Sequence, residues 1–429
     1  MHSCQGEHGR ATQTRRWCGC GVFRSMRRGR SFAACLALAA ALLLAGCTTT
    51  RAPRVALDSV PTEQRERAGE NLRIFGRVWS LVADAHYDPK FHGLDWLALG
   101  ARYGPEAARA ADDTALYTTL NTMLAPLKDS HTRAFSPERV QERRTQTRAL
   151  TGLTLARLES RWIVSEVLSG GPAELGGVKP GWVVTARNGA PLGDFRFPPP
   201  RAGEVVRWEF LDAMDKPVAL ALAAKVLPTK PQPVSRVLAE GIVYLRFDAF
   251  AFRDRRWLSA QLKAHREAPG VVIDLRWNPG GSTISLGIVI GEFFDRAVEC
   301  GTFITRGGRR ADKSSWQLGS ARYAGRVAVL VDVSTGSAAE IFSAVLQEHG
   351  RATVIGRRTA GAVLASWFHG LPGGGELQLS REDYVTPHGR RVEGAGVEPD
   401  VKVVPMLAEL RAGRDVDLEA ALHLLGGAK

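Results

Sequence analysis

Apolar positions along this chain recur with two periods, and the change from one to the other divides it. From about residue 65 to 87, Leu72, Phe75, Val78, Trp79 and Val82 keep the spacing of one helix face. A second helical stretch runs from Asp113, a candidate N-cap, to Leu127; together the two predict an N-terminal helical domain over 65–148. Its end, 138–148, is dense in charge and reads as a solvated linker. From about Leu150 short alternating strands take over between Gly and Pro, as in 151–155 and 162–167, and mark a separate segment over 150–226. Beyond the Pro-rich link 228–233, apolar strands, Gly-rich turns and helices alternate. The strand 241–247, a helix at about 253–267, the strand and turn 270–281, and the strand 326–332 before a helix over 338–347 predict an α/β domain across 235–405. Residues 406–429 read as a C-terminal helix. No internal repeat is evident.

Ser337 falls where an apolar strand turns into a helix that Gly350 can stop. The first free N–H groups of such a helix can stabilise an oxyanion, so a nucleophile is well placed there. The plainer reading is that Ser334, Thr335 and Ser337 only cap the helix. The local pattern leaves both open.

Composition changes the picture mainly at the start. Arg24, Arg27, Arg28 and Arg30 precede an apolar run, 32–44, that ends in Leu44-Ala45-Gly46-Cys47. A basic flank, a short apolar stretch and small residues describe a secretory leader, with Met26 as an alternative start. The ending resembles the bacterial lipobox, which implies cleavage after residue 46, lipid on Cys47 and a tether over 48–64. Thr48 follows without the Asp that commonly retains lipoproteins at the inner membrane. The expected address is therefore the periplasmic face of the envelope, on the outer membrane. Removing the seven Arg and one Glu of residues 1–47 reduces the formal charge from +13 to +7. That excess is spread thinly, without the concentrated footprint of a nucleic-acid binder. Cys4, Cys18, Cys20 and Cys35 leave with the leader, so Cys47 and Cys300 remain. No internal disulfide and no Cys/His metal cluster is then expected.

Gly171-Pro-Ala-Glu-Leu-Gly-Gly-Val-Lys-Pro-Gly181 followed by Trp182 to Gly189 resembles a PDZ domain, with Trp182 where that family carries Asp. The resemblance implies capture of a peptide by strand addition, its terminal carboxylate held by the loop Thr151-Gly152-Leu153. Five further motifs occur in order: 273–281 (IDLRWNPGG), 336–342 (GSAAEIF), 350–356 (GRATVIG), 359–361 (TAG) and 396–400 (GVEPD). With the helical and PDZ-like segments, they resemble the C-terminal-processing and tricorn-core serine peptidase family. That implies a crotonase/Clp-like α/β core, with Ser337 as nucleophile.

Hydrolysis of a peptide needs an activated nucleophile and oxyanion donors. The N–H of Ala338 is one candidate donor, and Gly280 and Gly281, where absent side chains admit a carbonyl, offer the other. Asp274 and Arg276 read as structural. The C-terminal-processing branch carries its lysine base where this chain has Ala362. The tricorn-like branch uses Ser-His-Ser-Glu, and its elements match Ser130-His131 and Glu393. His131 is therefore the expected base, with Ser130 and Glu393 orienting it and His369 as a rival. The implied function is a lipid-anchored serine endopeptidase cleaving unfolded or C-terminal protein segments without metal or cofactor. A non-catalytic binder of the same shape is the alternative, and an acyl-CoA enzyme shares only the core fold.

Overall fold

The computed structural model describes residues 51–57, 60–193, 199–230, 232–318 and 322–426; the leader 1–47, with Cys47, lies outside the described residues. Three helices open it: Arg65–Ala85, Trp96–Ala108 and Asp113–Leu124. The third is capped by Asp112 rather than Asp113, its carboxylate accepting from the Ala115 N–H. The middle helix is not foreseen by the pattern, because Gly100, Gly104 and Pro105 interrupt it. Those glycines admit a close approach: a Cβ on Gly100 would lie 2.4 Å from Trp79 Nε1, and one on Gly104 2.7 Å from Val55 Cγ2. The segment expected as a free tether is accordingly seated. Val60 is buried with Ala68 and Ala108, and Val55 and Leu57 pack beside them.

A second correction concerns 138–148. It is not a solvated linker but a helix, Pro137–Thr145, followed by the strand Thr147–Leu150. Ser136 caps the helix, Pro137 occupies its first turn and Val140 is buried. Glu142 offsets the basic charge by pairing with Arg139 and Arg148.

The helices bury Phe75, Val78, Leu116, Leu120 and Leu124 against Ala134, Leu377 and Leu379 of a five-stranded sheet, and against Leu371 beside it. In that sheet Glu376–Val385 is central, flanked by Arg133–Phe135, Glu299–Thr305 and Ala365–Gly370. The packing fixes the turn 128–132 between the third helix and the strand that follows.

The main sheet has six strands in the order Val234–Val237, Val243–Arg246, Gly270–Asp274, Arg326–Val331, Thr353–Gly356 and Val401–Lys402. The first pair is antiparallel and the others are parallel. Alternate residues face opposite cores, as a period of two requires. Val327, Val329 and Val331 meet Ile341, Phe342 and Val345 of the helix Ala338–Glu348. Ala328 and Leu330 meet Ala421 and Leu425 on the other face. Both faces being covered, the strands read as continuous apolar runs. The C-terminal stretch is two helices, Leu407–Arg411 and Val416–Gly426, rather than one.

The segment after residue 150 enters and leaves through one antiparallel pair, Thr147–Leu150 against Lys225–Pro228. Between them lies a separate six-stranded antiparallel sheet with its own core, built on Val164, Val184, Val206 and Phe210. Trp182 packs edge-on against Phe210, with ring centroids 5.6 Å apart, so an apolar ring takes the place of the expected Asp. This insert is clamped to the main sheet by Arg246–Glu166 (2.8 Å). It is also held by Arg411, which reaches the Gly181 carbonyl (3.1 Å) and Asp215 (2.7 Å).

Candidate active site

Ser337 has φ 54° and ψ −122°, a conformation that costs a non-glycine residue about 1–3 kcal/mol. The turn holds it there. Its N–H donates to the Ala362 carbonyl (2.8 Å) and to Glu340 Oε2 (3.1 Å). Ser337 is the N-cap residue of the helix, and Glu340 closes a capping box on its N–H, so the turn also caps the helix. No hydrogen bond joins the Ser337 hydroxyl to His131, whose Nδ1 is engaged by Ser130.

Glu340, to which the sequence reading gave no role, secures this geometry. Fully buried, it accepts from Thr359 Oγ1 (2.5 Å) and from the N–H groups of Gly361 (2.7 Å), Ala362 (2.7 Å) and Ser337. Burial raises its pKa against the pull of those donors. Its position in 336–342 was legible, but not its four partners, which come mostly from residues 359–362.

The glycine turn lies directly beside Ser337. A Cβ on Gly280 (φ +95°) would stand 2.6 Å from both the Ala338 nitrogen and Ser337 Cβ. Gly280 gives its N–H to Asn278 Oδ1 (2.9 Å), so it is corrected from donor to spacer. The N–H groups of Gly281 and Ala338 have no partner among the described residues. These two are the donors open to an incoming carbonyl oxygen.

Ser130, His131 and Glu393 come together across 263 residues. Glu393 accepts from the Ser130 N–H (3.0 Å) and hydroxyl (3.0 Å), and from the Val363 N–H (2.8 Å). Ser130 Oγ lies 2.6 Å from His131 Nδ1. A hydroxyl that donates to Glu393 must accept from the imidazole, so Nδ1 carries the proton and Nε2 is left with a free lone pair. Burial lowers the His131 pKa and raises that of Glu393. The backbone at 362–363 joins the halves: Ala362 accepts from Ser337, and Val363 donates to Glu393.

Ser337 and Ala338 also border a cavity of about 530 Å³. Leu286, Ile290, Cys300, Phe303, Ile341 and Val363 make it largely apolar, with Lys313 and Glu382 also contributing to its wall. Trp316 and Trp367, both exposed, line it as well.

The remaining sequence-derived residues sit elsewhere. His369 lies near the end of Ala365–Gly370, paired with Leu377, and burial and the charges of Arg381 and Arg77 lower its pKa. It does not line the cavity. Arg276 binds Asp274, Asp415 and Asp417, which ties the C-terminal helices to the main sheet. In the insert, the carbonyls of Thr151 and Gly152 accept from Ala173 and Leu168, while their N–H groups have no partner among the described residues. Leu153 opens the edge strand Leu153–Leu158.

Comparison with known proteins gives this geometry a context. Residues 241–403 match the model of peptidase family S41, and residues 68–125 match the tricorn protease C1 domain. A carboxyl-terminal-processing protease of Synechocystis sp. is 28% identical over 380 residues, covering 83% of this chain and 87% of the relative. Among solved structures, the photosystem II D1 C-terminal processing protease aligns over 83% of this chain and 97% of its own. Its TM-score is 0.57 at 23% identity. Mature CPAF aligns over 84% and 98%, with a TM-score of 0.63 at 13% identity.

Proposed function

We propose that this chain, a serine peptidase whose residues 241–403 match family S41, cleaves unfolded or C-terminal protein segments through Ser337 and His131. His131 Nε2 takes the Ser337 proton as Oγ adds to the scissile carbonyl, and the oxyanion is held by the N–H groups of Ala338 and Gly281. The same proton then goes to the leaving amine, and water repeats the steps on the acyl-enzyme. Ser130 and Glu393 keep the imidazole in the tautomer that can act as base. The observation that carries this reading is the hydrogen-bonded row from His131 through Ser130 to Glu393, joined to Ser337 by residues 362–363. Ala362, at the family's lysine position, cannot supply a base.

The apolar cavity suits an apolar side chain of the substrate beside the scissile bond. In the insert, read as PDZ-like, the open N–H groups of Thr151 and Gly152 and the edge strand beginning at Leu153 support capture of a substrate's terminal carboxylate. The Leu44–Cys47 ending supports a lipid anchor and a periplasmic site of action.

Turnover of an unfolded protein by purified chain tests the mechanism. Ser337→Ala and His131→Ala should each lower kcat by several orders of magnitude, since such groups act as a unit. A fluorophosphonate should label Ser337. Near-normal turnover in His131→Ala, with loss in His369→Ala, would move the base to His369.

A further inference from the structure

A buried pair lies behind the Ser130-His131 turn, and the mechanism above does not use it. His86, just beyond the first helix, places Nε2 2.8 Å from Asp129 Oδ2, and both side chains are 0% exposed. The other ring nitrogen of His86 lies 3.0 Å from the Asp88 carbonyl oxygen and 3.2 Å from its nitrogen. Asp129 Oδ1 accepts from the backbone N–H of His131 (3.0 Å), the N–H of Thr132 (2.6 Å) and Ser380 Oγ (3.1 Å). One carboxylate therefore gathers the two residues after Ser130 and pins them to the strand Glu376–Val385. Ser380 repeats the link, its carbonyl accepting from the Tyr87 N–H and its own N–H donating to Thr132 Oγ1.

We infer that Asp129, held by His86, is a positioning residue for the His131 base, fixing the turn that presents the imidazole and opposing the positive charge it acquires. The inference rests on the Ser337–His131 reading. A carboxylate whose oxygens are all engaged cannot swing, so the turn it anchors keeps one geometry. Its negative charge stabilises the imidazolium, which forms only as Ser337 gives up its proton. Burial alone would raise the Asp129 pKa, but the bonds from His86 and Thr132 outweigh it and keep the carboxyl below its ordinary value. Asp129 is also the group that works against the lowering of the His131 pKa by burial; Arg133 acts with burial. The other charge facing His131 is Glu393, reached through Ser130, with Arg391 beside it. Asp129 itself faces His86, Tyr87 and Thr132.

The test reads a titration, which a merely structural role leaves alone. In a Ser337→Ala background, the His131 imidazole signal is followed by NMR across pH, with and without Asp129→Asn. The titration should move to lower pH when the charge is removed, and with Ser337 restored kcat should fall about 10- to 100-fold. KM should stay within about threefold, since the turn does not form the cavity. An unmoved titration in folded Asp129→Asn overturns the inference, whatever happens to turnover. If Asp129→Asn does not fold, His86→Gln and His86→Ala carry the test. The Gln amide still donates to Asp129, so it should recover most of the kcat that Ala loses; equal kcat in the two overturns the inference. Full turnover in His131→Ala would instead sink the base assignment, and the titration arm would still report on Asp129.

Discussion

One hydroxyl sets the direction of the whole proton row. Ser130 Oγ has a single proton, and while Glu393 is ionised that proton points to the carboxylate. His131 must then donate through Nδ1, which frees Nε2. A protonated Glu393 could donate to Ser130 instead, reverse the row and leave the wrong nitrogen bare. Acid therefore acts at two places: it charges His131, and it neutralises Glu393. Burial lowers the pKa of the first and raises that of the second. On the proposed mechanism His131 acts only when neutral, above its pKa, so activity should rise with pH with a midpoint below about 6.5. A kcat/KM profile from acid to neutral pH checks this, and a midpoint above 7 would contradict it. Glu393→Gln should cost about 10²- to 10⁴-fold in kcat while the fold survives, because an amide can donate to Ser130. Ser337, Ser130, His131 and Glu393 were legible as short motifs. Their order of bonding was not, since it depends on side chains meeting across the chain rather than on spacing.

The junction at Ser337 shows what an element contributes beyond its residues. A strand, a helix and two loops converge on a serine that has no room to shift. Gly280→Ala would drive a Cβ into Ser337 and Ala338 from a backbone that already favours glycine. It should lower stability by about 1–3 kcal/mol and reduce turnover by more than that loss accounts for. Glu340→Gln replaces an oxygen that accepts from two backbone N–H groups. It should cost about 1–3 kcal/mol in thermal unfolding, with hydrogen exchange quickening at Ser337 and Ala362. The strand and helix flanking Ser337 were readable from apolar spacing, because both bury wide faces. The helix Trp96–Ala108 and the helix Pro137–Thr145 were not. In one, Gly100, Gly104 and Pro105 hide the period while serving close packing; in the other, charge conceals a single buried Val140.

At the scale of the molecule, the α/β character and the helical opening followed from pattern alone, since each burial face repeats over many residues. What pattern could not supply is how the parts are joined. The insert returns to the point where it departs: Leu150 lies opposite Lys225 and Thr147 opposite Pro228, in register along one ladder. In design terms it is a cassette. A two-residue Asn-Gly turn could close the chain from Leu150 to Lys225 without retying any other element. Such a shortened chain loses the Glu166 and Arg411 clamps but none of the residues around Ser337. It should still hydrolyse short peptides while no longer distinguishing protein tails with free carboxylates from amidated ones. Equal discrimination before and after excision would mean that selection resides in the catalytic cavity. Exchanging cassettes between chains with the same two-strand port would then leave tail preference where it was.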